Sequence, residues 1–411
     1  MTDRFDIAIV GAGAAGLGAA ERLRDKPLSV IVLEARDRIG GRAHTLAAGG
    51  FALDQGCGWL HSAHRNPFVA VAQGLGFEID KTPAHWMRQA GGLNFTREDQ
   101  AAFRAALGAL EERIEAAVAE GGDVAVSELI APEDRWAPLL NAFSAYYNGA
   151  EFDQVSAADY VAYQDDGTNW RLPRGYGALV SAFGADAPVR LETPVWRVDH
   201  GGAVIRLETP RGEVQARAVI VTVPTPLIAE GGLAFAPDLP AVRAAAAGLP
   251  LGLADKVFLA VDRPGDLKDD SHLFGSPWRT ATGSYHLRPF GRPLIEVYLG
   301  GRHADALERE GAGASAAFAI EELAGLLGSN MRGRLTPLTA TAWRREAWSR
   351  GAYSHALPGH AGARAVLAAP VEDRIFFAGE ACSAGFFSTA HGALTSGREA
   401  ADLAAARLAR A

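Results

Sequence analysis

Short apolar runs closed by glycine- or proline-containing turns set the hydrophobic pattern of this chain. Asp6–Val10 (DIAIV) is a β-branched apolar run ending in Gly11-Ala12-Gly13-Ala14-Ala15-Gly16, after which Leu17, Ala20 and Leu23 recur at helical spacing. The pattern predicts strand, glycine turn and helix. A second apolar strand is predicted over Ser29–Leu33. From Pro194 to Val223 three alternating segments, VWRV, AVIRLE and AVIVTV, are broken by His200-Gly201-Gly202 and Pro210-Arg211-Gly212. Such turns between alternating runs predict a β-meander. The last strand is expected at Arg374–Ala378, and the segment from Ser388 opens a helix continuing through Arg398 and Ala401. In between, Leu251–Leu259 reads as an apolar strand with one lysine, Lys256, near its middle. Thr96 is a suitable N-cap for the Ala/Glu/Arg-rich run that ends at Gly121-Gly122, a helix by propensity. No low-complexity tract and no repeat of fixed period interrupts this order.

Composition narrows the class. The 411 residues carry 40 Lys+Arg against 48 Asp+Glu, a net charge of −8, with 48% hydrophobic and 21% charged residues. That excludes a disordered chain, and at roughly 100–200 residues per domain it suggests two or three domains with their own cores. Mild acidity gives no electrostatic footprint for a phosphate backbone, so no nucleic-acid partner is expected. Cys57 and Cys382 are far apart, with no C-x-x-C and no Cys/His cluster, so neither a disulfide framework nor a metal site is expected. The H-x-x-H of His61 and His64 lacks further ligands and reads as loop or pocket polarity. The polar N-terminus runs straight into a strand and no apolar stretch approaches the ~20 residues needed to span a bilayer. The expectation is a soluble, cytoplasmic protein with no membrane partner; the oligomeric state is left open.

Candidate chemistry begins at the glycine turn. Gly11 permits the turn, Gly13 lets a pyrophosphate approach the backbone, and Gly16 lets the helix pack closely on the strand. Glu34, at the end of the second strand and eighteen residues beyond Gly16, stands where an acid accepts adenosine ribose hydroxyls. This defines a dinucleotide site without separating NAD from FAD. Gly40-Gly41-Arg42 forms a second candidate phosphate cradle, with Arg42 as a charged donor. As residues alone, Lys256 is also read as a charge snorkelling out of its strand, and Asp165-Asp166 as an exposed turn.

DIAIVGAGAAG together with EARDRIGGRAHT, Glu34 to Thr45, resembles the FAD-binding N-terminus of the flavin amine oxidases: monoamine oxidases, polyamine oxidases and lysine-specific histone demethylases. The likeness continues in Asp54-Gln55-Gly56-Cys57-Gly58-Trp59-Leu60-His61, similar to the family's D-x-G-x-x-W-x-H stretch, and in Arg171–Leu179 (RLPRGYGAL). It implies an α/β fold: a Rossmann-like, glutathione reductase-like FAD-binding domain interleaved with an α+β substrate domain. The corresponding boundaries are 1–75, 176–245 and 365–411 for the first, and 76–175 and 246–364 for the second. FAD contacts are implied for Gly11, Gly13, Ala14, Ala15, Gly16, Glu34, Ala35, Arg36, Gly40, Gly41, Arg42, Gly56, Cys57, Gly58 and Trp59. Val195 would touch the adenine and Glu380, beside Gly379, the ribityl chain; Thr389 and Ala390 are implied as further FAD contacts.

The resemblance also implies a reaction. Lys256 matches the lysine that holds a water against flavin N5, and Trp343, Gly351, Tyr353 and Ser354 match the family's W-x-x-x-x-x-x-x-G-x-Y-S segment. Tyr353 and Trp343 would shape an aromatic slot for a neutral amine, whose carbon next to nitrogen gives a hydride to the flavin. The resulting imine is hydrolysed by water, and O₂ reoxidises the flavin to release H₂O₂. Two departures matter. Ala352 replaces the cysteine that tethers FAD in monoamine oxidases, implying non-covalent cofactor, and Thr389 replaces their second cage aromatic. Asp165 and Asp166 are candidates for holding a distal ammonium, which keeps a polyamine among the possible substrates. Other readings are a flavin desaturase or dehydrogenase of an apolar substrate, an L-amino-acid oxidase, and a non-catalytic flavoprotein binding module.

Overall fold

The computed structural model describes residues 3–86 and 88–410. Its larger sheet grows from the two N-terminal apolar runs: Asp3–Val10 lies parallel to Val30–Leu33 on one side and to Gly212–Val221 on the other. Val189–Arg190 extends it beyond Val30–Leu33, and Ile375–Phe377 joins in parallel to the end of Gly212–Val221. The expected meander is present as Arg197–Asp199, Ile205–Thr209 and Gly212–Val221, with Ala234–Ala236 on its outer edge. The central strands carry apolar residues on both faces because both faces are covered. Ile7 and Ile9 pack into one buried cluster, Ala8 and Val10 into another.

Small residues let the chain's two ends meet. The helix Ala14–Leu23 packs against the last helix, Ala390–Leu408, through glycines: a Cβ on Gly397 would stand 2.0 Å from the Ala15 carbonyl oxygen. Only a residue without a side chain permits that approach.

The second sheet is antiparallel, in the order Ser271–Phe274, Ser284–Leu287, Leu294–Gly300, Ala254–Val261, Leu335–Ala340. Helices Gly301–Glu310 and Ala314–Leu327 bury Ala304, Leu307, Ala319 and Leu323 in the cluster formed by Val257, Leu259, Ile295 and Val297. The long run after Thr96 is the helix Arg97–Ala119, capped by the Thr96 hydroxyl, which accepts from the Asp99 N–H at 3.1 Å. With Ala137–Tyr147 it encloses Phe103, Leu110, Trp136 and Phe143. No described helix is long and apolar enough to cross a membrane.

The strand expected at Leu251–Leu259 is shifted to Ala254–Val261. Its first residues leave the sheet for a different partner: Gly252 N–H donates to the Tyr353 carbonyl at 2.9 Å and Ala352 N–H to the Gly252 carbonyl at 2.8 Å. One continuous run therefore places both Lys256 and Tyr353.

Candidate active site

The glycine turn has the conformation its composition requires. Gly11 has φ +104°, a value that disfavours any side chain, and its N–H donates to the Leu33 carbonyl at 2.8 Å. Gly40 N–H donates to the Ala12 carbonyl at 2.8 Å, so the two glycine cradles are stitched together. Around them lies a cavity of about 1660 Å³, including its open mouth, at the carboxyl ends of the central strands. That is where open α/β sheets bind ligands.

The cavity brings together nearly all the residues singled out in the sequence. Its wall contains Gly11, Gly13, Ala14, Ala15, Glu34, Ala35, Arg36, Gly40, Gly41, Arg42, Gly56, Cys57, Gly58, Trp59, Val195, Gly379, Glu380, Thr389 and Ala390, together with Lys256, Trp343 and Tyr353. Gly16 lies behind the wall and acts as expected of it: a Cβ there would be 1.9 Å from the Gly11 carbonyl oxygen. Asp165 and Asp166 are not among the lining residues. Asp165 accepts from Ser62 Oγ at 3.1 Å and the Gly167 N–H, and Asp166 from the His64 and Thr168 N–H groups. The two residues form a turn outside the cavity wall.

The chain holds its charges in place before any ligand arrives. Glu34 is buried and accepts from the Ala12 N–H at 2.7 Å and the Arg36 N–H at 2.9 Å. Arg42 donates to Glu380 at 2.9 Å and to the Ala352 carbonyl at 2.6 Å. Burial alone would raise the Glu380 carboxyl, but the Arg42 charge and the Ser354 hydroxyl outweigh it and hold it low. Thr389 caps the last helix, its hydroxyl accepting from the Gly392 N–H at 3.0 Å. The open space facing Gly13, where a Cβ would meet nothing within 4 Å, and the paired arginines on the same wall fit a flavin dinucleotide.

At the other domain's wall, Lys256 does not snorkel. Its side chain is 5% exposed, and Nζ contacts Glu296 Oε1 at 2.7 Å while donating to the Asp54 carbonyl at 3.0 Å. Tyr353 Oη donates to the Tyr146 carbonyl, so the 3.2 Å contact between the Tyr298 and Tyr353 hydroxyls has Tyr298 as donor. Burial raises both phenols well out of reach of ionisation near neutrality. Trp343 is held at both ends, its ring N–H by the Gln55 carbonyl at 3.2 Å and its backbone N–H by Asp255 Oδ1 at 3.1 Å. Burial, then the neighbouring Glu308, push the Asp255 carboxyl well above the usual carboxylate range.

Glu296 and Tyr298 were not foreseen. In register, Tyr298 opposes Lys256 and Glu296 lies two residues along on the same face. The signal in the sequence is a lone acid in the apolar run LIEVYLG, matching the lone lysine of its neighbour; only the strand pairing makes the match visible. Tyr298 also supplies a second ring beside Tyr353 from the sheet, whereas Thr389 supplies none from the helix.

Both cysteines are free, and Cys57 is the lining thiol among the described residues. Burial pushes its thiol up to about 12, so it stays protonated and is a poor nucleophile. With Ala352 at the other candidate tether, acid-denatured protein is expected to have the mass of the bare chain. A mass heavier by one FAD would show a covalent link.

A dinucleotide cradle continuous with a buried lysine and an aromatic slot defines a flavoprotein oxidoreductase site. The chain belongs to the flavin containing amine oxidoreductase family, whose sequence profile matches residues 14–405, and FAD is its cofactor. It is 30% identical to Lysine-specific histone demethylase 1 homolog 3 of Oryza sativa subsp. indica, over 97% of this chain and 54% of that protein. To Polyamine oxidase 2 of Arabidopsis thaliana it is 26% identical, over 96% of this chain and 87% of that protein. The chain thus spans about half the length of the demethylase-like relatives. In fold it resembles putrescine oxidase bound to putrescine, with TM-score 0.80 at 20% identity over 98% of this chain and 99% of that one. It also resembles cyclohexylamine oxidase from Brevibacterium oxydans IH-35A, with TM-score 0.76 at 22% identity over 99% and 100%.

Proposed function

We propose that the protein oxidises a primary or secondary amine, with O₂ as the final acceptor. The observation that carries this is the placing of Lys256, Tyr298, Tyr353 and Trp343 on the same cavity wall as the dinucleotide cradle. FAD, when bound, supplies a hydride acceptor for the carbon next to nitrogen and passes both electrons to O₂, giving H₂O₂. The chain's own work is to bind the amine neutral at nitrogen and to exclude water. An apolar, ring-lined slot disfavours the ammonium form by desolvation, and this leaves the lone pair available to drive C–H cleavage.

The charges on the wall favour a substrate with a single amine over a polyamine. Glu34, Glu296 and Glu380 are each already engaged by backbone N–H groups, Lys256 or Arg42, so among the described lining residues no acid stands free for a second ammonium. The cations are equally committed: Arg36 pairs with Glu346, Arg42 with Glu380 and Lys256 with Glu296. That speaks against an amino-acid substrate, whose carboxylate needs a cation. A cytoplasmic setting goes with this reading, supported by the two unpaired thiols.

The test is to mix FAD-loaded protein under nitrogen with apolar monoamines, diamines, polyamines and amino acids, follow flavin bleaching, and then assay peroxide on admitting air. Bleaching by a monoamine followed by peroxide is expected. No bleaching by any amine would favour a binding module, and bleaching without peroxide would favour a dehydrogenase.

A further inference from the structure

We propose that Glu296 is a positioning residue that keeps Lys256 a fixed ammonium against the cofactor cavity. The inference rests on the reading above only in taking Lys256 to face the flavin. Lys256 Nζ is enclosed: Glu296 Oε1 is at 2.7 Å, the Asp54 carbonyl at 3.0 Å, and the Tyr298 ring centroid at 5.9 Å. A Cβ on Gly58 would lie 3.2 Å from it, so only a residue without a side chain leaves that flank of the ammonium free. Asp54, Cys57 and His61 face this group from the first domain, and Glu296 and Tyr298 from the neighbouring strand. Of these, Glu296 is the acid in direct ionic contact. Burial pushes the Asp54 carboxyl up, despite the Lys256 charge. Around Glu296 itself stand Lys256, His286 and Arg171.

The physical consequence follows from burial. A lysine this enclosed loses its proton readily when alone, with shifts of up to about 3–5 pH units. Here burial is the largest influence, yet Glu296 and the smaller contributions of Tyr298 and Asp54 outweigh it, so Lys256 titrates above its ordinary value. The carboxylate thus preserves a positive charge on the cavity wall. It also cancels that charge at longer range, which lessens repulsion of an incoming ammonium.

The experiment compares wild type, Glu296→Gln, Lys256→Met and the Lys256→Met/Glu296→Gln double variant. Photoreduced, FAD-loaded protein is mixed with O₂ between pH 6 and 10; two electrons and two protons pass from the reduced cofactor to O₂ as H₂O₂. Wild type should show no titration in this range arising from Lys256. In Glu296→Gln the rate should fall toward that of Lys256→Met as pH rises, with a midpoint lowered by about two pH units or more. The second readout is thermal unfolding of FAD-free protein. In Glu296→Gln the folded lysine titrates below its unfolded value, so the unfolded chain binds more protons between the two and the melting temperature should climb with pH relative to wild type. The double variant should lose that climb. Identical pH profiles for Glu296→Gln and wild type, with Lys256→Met impaired, would overturn the proposal alone. Normal half-reactions in Lys256→Met would instead remove the placement of Lys256 at the flavin.

Discussion

Lys256→Met is expected to slow flavin reduction or reoxidation by on the order of 10²-fold, the effect of deleting one fixed charged donor from a water-poor site. Methionine keeps most of the apolar stem, so the loss isolates the ammonium. Stopped-flow measurement separates the half-reactions: bleaching by a saturating amine under nitrogen, then recovery on mixing with O₂. Glu296 complicates the result, because removing Lys256 leaves a buried carboxylate without its cation. Breaking one side of a buried pair costs about 3–5 kcal/mol. The carboxyl of Glu296, held low by Lys256 against burial, would then rise and take up a proton. Lys256→Met should therefore also melt at a lower temperature than wild type. Adding Glu296→Gln should recover much of the stability without the rate, and recovery of both would assign the lysine a structural part only.

The second large effect is expected at the glycine turn. In Gly16→Ala the new methyl would stand 1.9 Å from the Gly11 carbonyl oxygen and 3.3 Å from Ile9 Cγ2. The carbonyl belongs to a backbone fixed by φ +104° and by the hydrogen bond to Leu33, so the helix Ala14–Leu23 must shift away from its strand. Overpacking of this kind costs about 1–3 kcal/mol or more, and the phosphate cradle moves with the helix. Gly16→Ala should be purified largely free of FAD and should melt early even as apoprotein. Gly13→Ala provides the contrast, since its methyl meets no protein atom within 4 Å. It should bind FAD poorly while the apoprotein melts like wild type. Equal apoprotein stability in the two variants would contradict this division between packing and phosphate approach.

How far each feature could be read depended on the range of the interaction behind it. The strand–turn–helix at Asp6–Leu23, the meander and the capped helix after Thr96 are local, since turn chemistry and periodicity specify them within a few residues. That these residues share one cavity wall was legible for a related reason: Gly11, Gly40, Gly41 and Arg42 lie in short segments whose residue types suit phosphate. The strand carrying Lys256 was misplaced by three residues at its start, because Leu251–Leu253 have the apolar character of a strand but Leu251 and Gly252 pair with the Ala352–Ser354 segment and the Leu253 N–H donates to the Gly149 carbonyl.

From the chain alone came the two cradles, the lysine and tyrosine segments, and the interleaved order of pieces. The tertiary structure decided which charges meet. Asp165 and Asp166 look available in the sequence but lie outside the cavity wall, in a turn where they accept from the Gly167 and Thr168 N–H groups, while Glu296, inconspicuous in its strand, is the acid that holds Lys256. A turn is encoded by neighbours in sequence. A cross-strand ion pair forty residues apart depends on register, and register is settled only when both strands bury their shared face.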